Sequence, residues 1–91
     1  MDLNTLIETQ MSARGLTKSG LSAALRESGV FVSRQAVSAW ANGRGLPHAE
    51  CWHVLAPLLG CTPEDMALAR YGLLSDERAQ ALSAEQGTGV R

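Results

Sequence analysis

The apolar residues of this chain recur three and four positions apart, which is the spacing of one face of an α-helix. The first such face consists of Leu3, Leu6, Ile7 and Met11. Glycine or proline interrupts the pattern about every ten to fifteen residues, as expected for turns between short elements. The pattern therefore predicts an all-α fold of short helices joined by tight turns, without a sheet.

Capping residues set the expected helix ends, and Thr62-Pro63-Glu64-Asp65 is the strongest local signal, with a cap, a first-turn proline and two acids. The expected helices run from Leu3 to about Arg14, from the Thr17 cap to about Ser28, from the Ser33 cap to Asn42-Gly43, from Pro47 through a kink at Pro57, and from Pro63 to about Tyr71. Ser75-Asp76-Glu77 can begin a short sixth helix to about Ala84. Residues 85–91 are expected to form a flexible tail.

Length and composition limit the classes of protein to consider. Ninety-one residues suffice for one small domain, and the hydrophobic fraction of 45% with 19% charged residues is typical of a globular protein. No signal peptide and no apolar run of membrane-spanning length is evident, so we expect a cytoplasmic protein without membrane contact. Cys51 and Cys61 are expected to be reduced.

The net charge of -1 conceals an uneven distribution. Residues 10–49 contain five basic side chains and one acidic side chain, whereas the rest of the chain contains three basic and eight acidic ones. A basic middle between acidic ends is a weak signal, but it indicates where a polyanion would dock.

The most informative segment runs from Ser33 to Gly43. In a helix capped by Ser33, Val37 and Trp40 share the inward face. The outward side chains are small apart from one arginine and one glutamine, which can pair with guanine and adenine edges in a DNA major groove. The residues on this outward side are Arg34, Gln35, Ser38 and Ala39.

Together with Leu16-Thr17-Lys18-Ser19-Gly20-Leu21, this segment resembles the lambda-repressor-like (Cro/CI, Xre-type) helix-turn-helix family over about residues 3 to 70. The resemblance implies a five-helix bundle in residues 1–72 whose third helix reads double-stranded DNA. It implies base reading by Arg34, Gln35, Ser38 and Ala39. It implies phosphate binding by Thr17, Lys18, Ser33, Asn42 and Arg44, with Lys18 in place of the family's usual glutamine.

The sequence departs from the family pattern at two places. About five extra residues separate Leu25 from Val32, and we expect them to extend the second helix by a turn and to place Val30 or Phe31 in the core. Pro57 occupies a position where the family usually has a helix-compatible residue.

Simpler interpretations stay open for several residues. Arg34 and Gln35 are either base readers or ordinary solvated residues of a short helix, and surface cations such as Lys18 are common in any protein. Arg14 and Arg26 are either solvated or peripheral phosphate contacts. Trp40 and Trp52 are expected to anchor the core rather than to stack on bases.

Other kinds of site are not expected. His48, Cys51, His53 and Cys61 are metal-ligand types, but their spacing matches no zinc motif, so we expect no metal and no cofactor. Cys51 and His53 lack an orienting acid at motif spacing, so we expect no enzyme and no small-molecule ligand.

The sequence thus predicts a homodimeric transcription regulator, of the phage or plasmid repressor kind, that binds an inverted-repeat operator. Residues 73–84 are expected to hold the dimer together with helix five, through Leu68, Leu73, Leu74 and Leu82. In the alternative, Leu73 and Leu74 fold back on helix one and the sixth helix frays. The competing function is a protein-interaction module, such as an antitoxin or adaptor.

Overall fold

A computed structural model of the protein describes residues 1–88, with side chains described up to residue 84. In this part of the chain the regular structure is entirely helical. The elements are α1 (Leu3–Arg14), α2 (Lys18–Glu27), α3 (Arg34–Ala41), a 3-10 turn (Ala49–Cys51), α4 (Trp52–Leu59), α5 (Pro63–Arg70) and α6 (Asp76–Thr88). The predicted all-α class is confirmed. None of the described helices is long and apolar enough to cross a membrane.

Side-chain caps fix the beginnings of the helices where the sequence predicts them. The hydroxyl oxygens of Thr17, Ser33 and Thr62 accept hydrogen bonds from the backbone N–H groups of residues 20, 36 and 65, at 2.9 to 3.1 Å. Each bond satisfies one N–H group that the first helical turn leaves without a partner. Gly15 ends α1 with φ 68°, a left-handed conformation that a side chain would oppose.

The fourth helix begins later than predicted. Pro47 is followed by extended backbone at His48 and by the 3-10 turn, so that α4 starts only at Trp52. The indole N–H of Trp52 donates to the carbonyl of Pro47 at 3.3 Å, which ties this non-helical segment to the helix it precedes. Pro57 lies inside α4, and the helix continues past it to Leu59.

The core is built around α1, which packs against α3, α4, α5 and α6. Trp40 is buried and Trp52 packs half-buried against the same cluster, in agreement with the expectation that both anchor the core. The fully buried large side chains are Leu3, Leu6, Ile7, Leu21, Leu25, Leu55, Leu59, Met66, Leu82, Gln10 and Val37.

The segment after α5 differs most from the sequence-based expectation. Leu74 and Leu82 are 3% and 1% exposed, buried in the core of their own chain, so the prediction that they form a dimer surface is wrong. The physical reason is that α6 packs against α1 and covers an apolar face that the other helices leave open. Leu73 does not fold back and is 68% exposed.

The sixth helix is also longer than predicted. It runs to Thr88, so residues 85–88 of the expected flexible tail are helical backbone, and residues 89–91 of that tail lie outside the described residues. Polar contacts join α6 to the bundle. The hydroxyl of Ser83 donates to Oε1 of buried Gln10 at 3.2 Å, and Gln10 Nε2 donates to the carbonyl of Leu59 at 2.9 Å.

A partly buried ion pair joins α6 to α5. The Nε and Nη2 atoms of Arg78 donate to the two carboxylate oxygens of Asp65 at 3.1 and 3.0 Å, while Asp65 also completes the capping box of α5 with Thr62. The guanidinium of Arg78 and, after it, the backbone of Thr62 hold the pKa of this carboxyl below its usual value, although burial opposes them. Asp65 is therefore ionised at neutral pH and connects the two helices.

Candidate nucleic-acid interface

The outward side of α3 presents the side chains that the sequence singles out. Val37 is fully buried, whereas Arg34 and Gln35, at the first two positions of the helix, are exposed. Ser38 and Ala39, one turn further along, are half-buried. A long arginine, a glutamine and two small residues therefore stand on one solvent-accessible side of a helix that is held by the core behind it.

The beginning of α2 lies beside this side of α3. Lys18, the first residue of α2, lines one surface cavity together with Arg34, Gln35 and Ser38. The side chains on which the sequence-based hypothesis depends are therefore neighbours, although Lys18 lies sixteen positions before Arg34 in the chain. The N-terminus of α2 carries the positive end of the helix dipole, which adds to the charge of Lys18.

A second, larger cavity continues from the first toward α1. It is lined by Lys18 and Arg34 again, and by Thr17, Asn42 and Glu8. The hydroxyl of Thr17 is already an acceptor in the cap of α2, but a hydroxyl that accepts one hydrogen bond can still donate another. Lys18 and Arg34 line both cavities.

The turn after α3 positions the remaining predicted residues. The amide of Asn42 donates to the hydroxyl of Ser38 at 3.3 Å, and the backbone N–H of Arg44 donates to the carbonyl of Ala39 at 2.8 Å. Arg44 is exposed on this turn, beyond the C-terminal end of α3. Ser33 is exposed at the opposite end, where its hydroxyl caps the helix. All nine predicted DNA-binding residues thus lie on α3, at its two ends, or at the beginning of α2.

Sequence reasoning missed one residue that positions this surface. Asn4 of α1 donates through Nδ2 to the carbonyl of Trp40 at 2.7 Å and to that of Gly45 at 2.9 Å. It therefore ties both the end of α3 and the following turn to α1. The one available signal was a polar residue between Leu3 and Leu6, on the otherwise apolar side of the first helix.

The first two residues after Leu25, Arg26 and Glu27, belong to α2, which ends next to the predicted Ser28. The insertion therefore lengthens α2 by two residues and not by a full turn, and the residues from Ser28 to Val32 form a loop. Val30 packs half-buried against the core as expected, whereas Phe31 is 80% exposed. The hydroxyl of Ser22 donates to the carbonyl of Val32 at 2.6 Å and holds the end of the loop against α2.

An apolar groove lies on the flank of α3 next to this loop. Its lining includes Phe31 and Leu46, which is 37% exposed, together with Ala36 and Trp40 of α3. A second apolar area lies at the end of α5, where Leu68 and Leu73 are exposed and the guanidinium of Arg70 lies 5.6 Å from the ring centroid of Tyr71.

The cysteine and histidine residues do not assemble into a chemical site. Among the described side chains, no group of three or more histidine, cysteine, aspartate or glutamate residues is placed to hold a metal ion. Burial, and to a smaller extent the carboxylate of Asp65, raises the pKa of the Cys61 thiol to about 11. This thiol is therefore neutral at physiological pH.

Comparison with known proteins gives no relative for this chain. No protein-family model matches it, and neither a curated protein nor a solved structure is significantly similar. The function must therefore be argued from the residues and their arrangement.

Proposed function

We propose that this protein binds double-stranded DNA in a sequence-specific manner and regulates transcription, as a helix-turn-helix protein of the lambda-repressor-like kind. In this proposal α2 and α3 form the DNA-binding unit, and α3 enters the major groove. Arg34, Gln35, Ser38 and Ala39 contact base edges. Occupancy of an operator by the bound protein would then block RNA polymerase.

The observation that carries the proposal is the shared cavity of Lys18, Arg34, Gln35 and Ser38. Specific DNA binding needs phosphate contacts that fix the position of the protein and, beside them, side chains that reach base edges. Lys18 at the beginning of α2 suits the first role, and Arg34 and Gln35 at the exposed beginning of α3 suit the second. Arg44, with Asn42, would contact phosphates from the other end of α3.

The protein is proposed to act as a homodimer. One recognition helix reads about four to six base pairs, and a twofold dimer doubles the contacts on an inverted repeat whose half-sites lie about 34 Å apart. Because Leu74 and Leu82 are buried in their own chain, the proposed contact is limited to the exposed apolar area at the end of α5, formed by Leu68, Tyr71 and Leu73. An isologous contact there would fix the spacing of the two recognition helices.

Base reading is tested by selecting DNA fragments that the purified protein retains, sequencing them, and measuring the affinity of variants for the selected operator and for random DNA. Arg34→Ala and Gln35→Ala should each weaken operator binding by about 1 to 3 kcal/mol and change random-DNA binding little. Equal losses on both kinds of DNA would show that these side chains do not read bases.

Phosphate binding is tested by the salt dependence of affinity. A dimer with three or four phosphate contacts per subunit should give a slope of log affinity against log salt of roughly -5 to -7. Lys18→Ala and Arg44→Ala should each weaken binding to all DNA and reduce the slope by about one per lost contact. The matched control is Gln80→Glu, which makes the same change of charge at an exposed position of α6, a helix that does not pack against α2 or α3. A flat salt response of the unchanged protein would contradict DNA binding.

The dimer contact is tested by sedimentation of Leu73→Asp, which places a charge in the exposed apolar area without touching the core. A folded monomer with weakened operator binding is expected, since each half-site is then bound alone. A stable dimer at micromolar concentration would rule out this surface as the dimer contact.

One observation favours a second function, that of a protein-interaction module such as an antitoxin or adaptor. Phe31 and Leu46 border an apolar groove on the flank of α3, and a large exposed aromatic side chain beside a groove is typical of a protein-binding surface. In that case the protein would show weak DNA binding with little salt dependence, and Phe31→Ala would leave that binding unchanged.

A further inference from the structure

An acidic residue lines the larger of the two cavities beside the proposed DNA-binding surface. Ten residues line the larger cavity between α1, α2 and α3, and of these Glu8 alone is acidic while Lys18 and Arg34 are basic. Glu8 is exposed on α1, and the cavity faces the N-terminus of α2. Glu8 therefore lines the same cavity as two of the cations that the proposed function needs.

Electrostatics gives this arrangement a consequence for any polyanion. A carboxylate within about 10 Å of a phosphate site repels an incoming phosphate, because at this distance salt near physiological strength screens the interaction only in part. The same carboxylate attracts the flexible side chain of Lys18, the phosphate contact of the proposed function, when no DNA is bound. A phosphate that enters the cavity must overcome that attraction before it can pair with Lys18.

We propose that Glu8 is an internal competitor of DNA phosphate, which lowers the affinity of the protein for DNA of every sequence. This inference rests on the proposed function. Glu8 repels phosphates, attracts the phosphate-binding Lys18 and reads no base, so it reduces operator binding and random-DNA binding by the same factor. As a result, the base contacts of α3 contribute a larger share of the total affinity for DNA.

The test compares Glu8→Gln with the unchanged protein on the selected operator and on random DNA, over a range of salt concentrations. The control is Glu77→Gln, which makes the same change of charge on α6, a helix whose packing contacts are with α1. Glu8→Gln should bind both DNAs about 3- to 10-fold more tightly at roughly 50 mM salt, and the gain should fall below about 2-fold at roughly 300 mM. Glu77→Gln should stay within about 1.5-fold of the unchanged protein.

A second variant, Glu8→Lys, changes the charge by two and should gain about the square of the Glu8→Gln factor. Thermal unfolding of each variant shows whether it is folded, and Glu8 is exposed, so both substitutions should be tolerated. If the unchanged protein binds DNA but Glu8→Gln behaves like Glu77→Gln, the competition by Glu8 is disproved and the proposed function stands. If none of the proteins shows salt-dependent DNA binding, both proposals fail together.

Discussion

The burial of Leu82 leads to a sharp prediction about stability. Leu82 is 1% exposed, on the face of α6 that packs against α1. Leu82→Ala removes buried carbon atoms and leaves a cavity, a change that costs about 2 to 5 kcal/mol in well-packed cores. For a domain of this size the loss corresponds to a decrease in Tm of at least about 8 °C. Leu73→Ala makes the same chemical change at a position that is 68% exposed, and at low protein concentration it should cost less than about 0.5 kcal/mol.

The assay is urea unfolding of both variants at about 1 and about 50 µM protein, which separates effects within one chain from effects on association. The loss caused by Leu82→Ala should be the same at both concentrations, because Leu82 packs within its own chain. A loss caused by Leu73→Ala should appear only at the higher concentration, where the proposed dimer would form. If Leu82→Ala and Leu73→Ala cost the same at the lower concentration, the assignment of α6 to the core of the monomer is refuted.

Three further predictions follow from polar groups. Because the pKa of Asp65 is lowered in the folded state, its pair with Arg78 should contribute its full stability above about pH 4 and lose it as the pH falls through the folded pKa. In urea unfolding from pH 2 to 6, Asp65→Asn should flatten this part of the stability profile. Parallel profiles of the variant and the unchanged protein would contradict this prediction. Cys61, with a pKa of about 11, should be alkylated at pH 8 about 100-fold more slowly in the folded protein than in urea. Peptide mapping measures the two rates, and equal rates would show that the thiol is accessible and ionised in the folded protein. Asn4→Ala removes the donor to two carbonyls, so it should lower the free energy of unfolding in urea by about 1 to 3 kcal/mol and weaken the proposed DNA binding. An unchanged unfolding midpoint would show that the turn after α3 does not depend on Asn4.

Much of the local structure follows directly from the sequence. The helix beginnings at Thr17, Ser33 and Thr62 are confirmed because each depends on a side chain bonding to backbone three residues away. The end of α1 at Gly15 is equally local. Within the candidate site, the exposure of Gln35 on the side opposite Val37 follows from helical periodicity, since a buried residue fixes which side of a short helix faces solvent.

The tertiary structure decided what depends on residues far apart in the chain. Leu73 and Leu74 are adjacent and chemically identical, yet in the loop between α5 and α6 only Leu74 packs into the core cluster, while Leu73 is exposed. The loop after α2 leaves Phe31 exposed while Val30 packs against the core, a choice that no periodicity encodes.

The same distinction applies to the candidate site. The sequence supplied the types of side chain, arginine and glutamine on a capped helix preceded by a lysine, and local rules placed each of them on a helix surface. Only the packing of α2 against α3 brought Lys18 and Arg34 into one cavity, and only the packing of α1 added Glu8 to it. Capping hydrogen bonds join residues three positions apart and can therefore be predicted from the sequence. Which helix faces pack together depends instead on the burial of apolar area over the whole molecule.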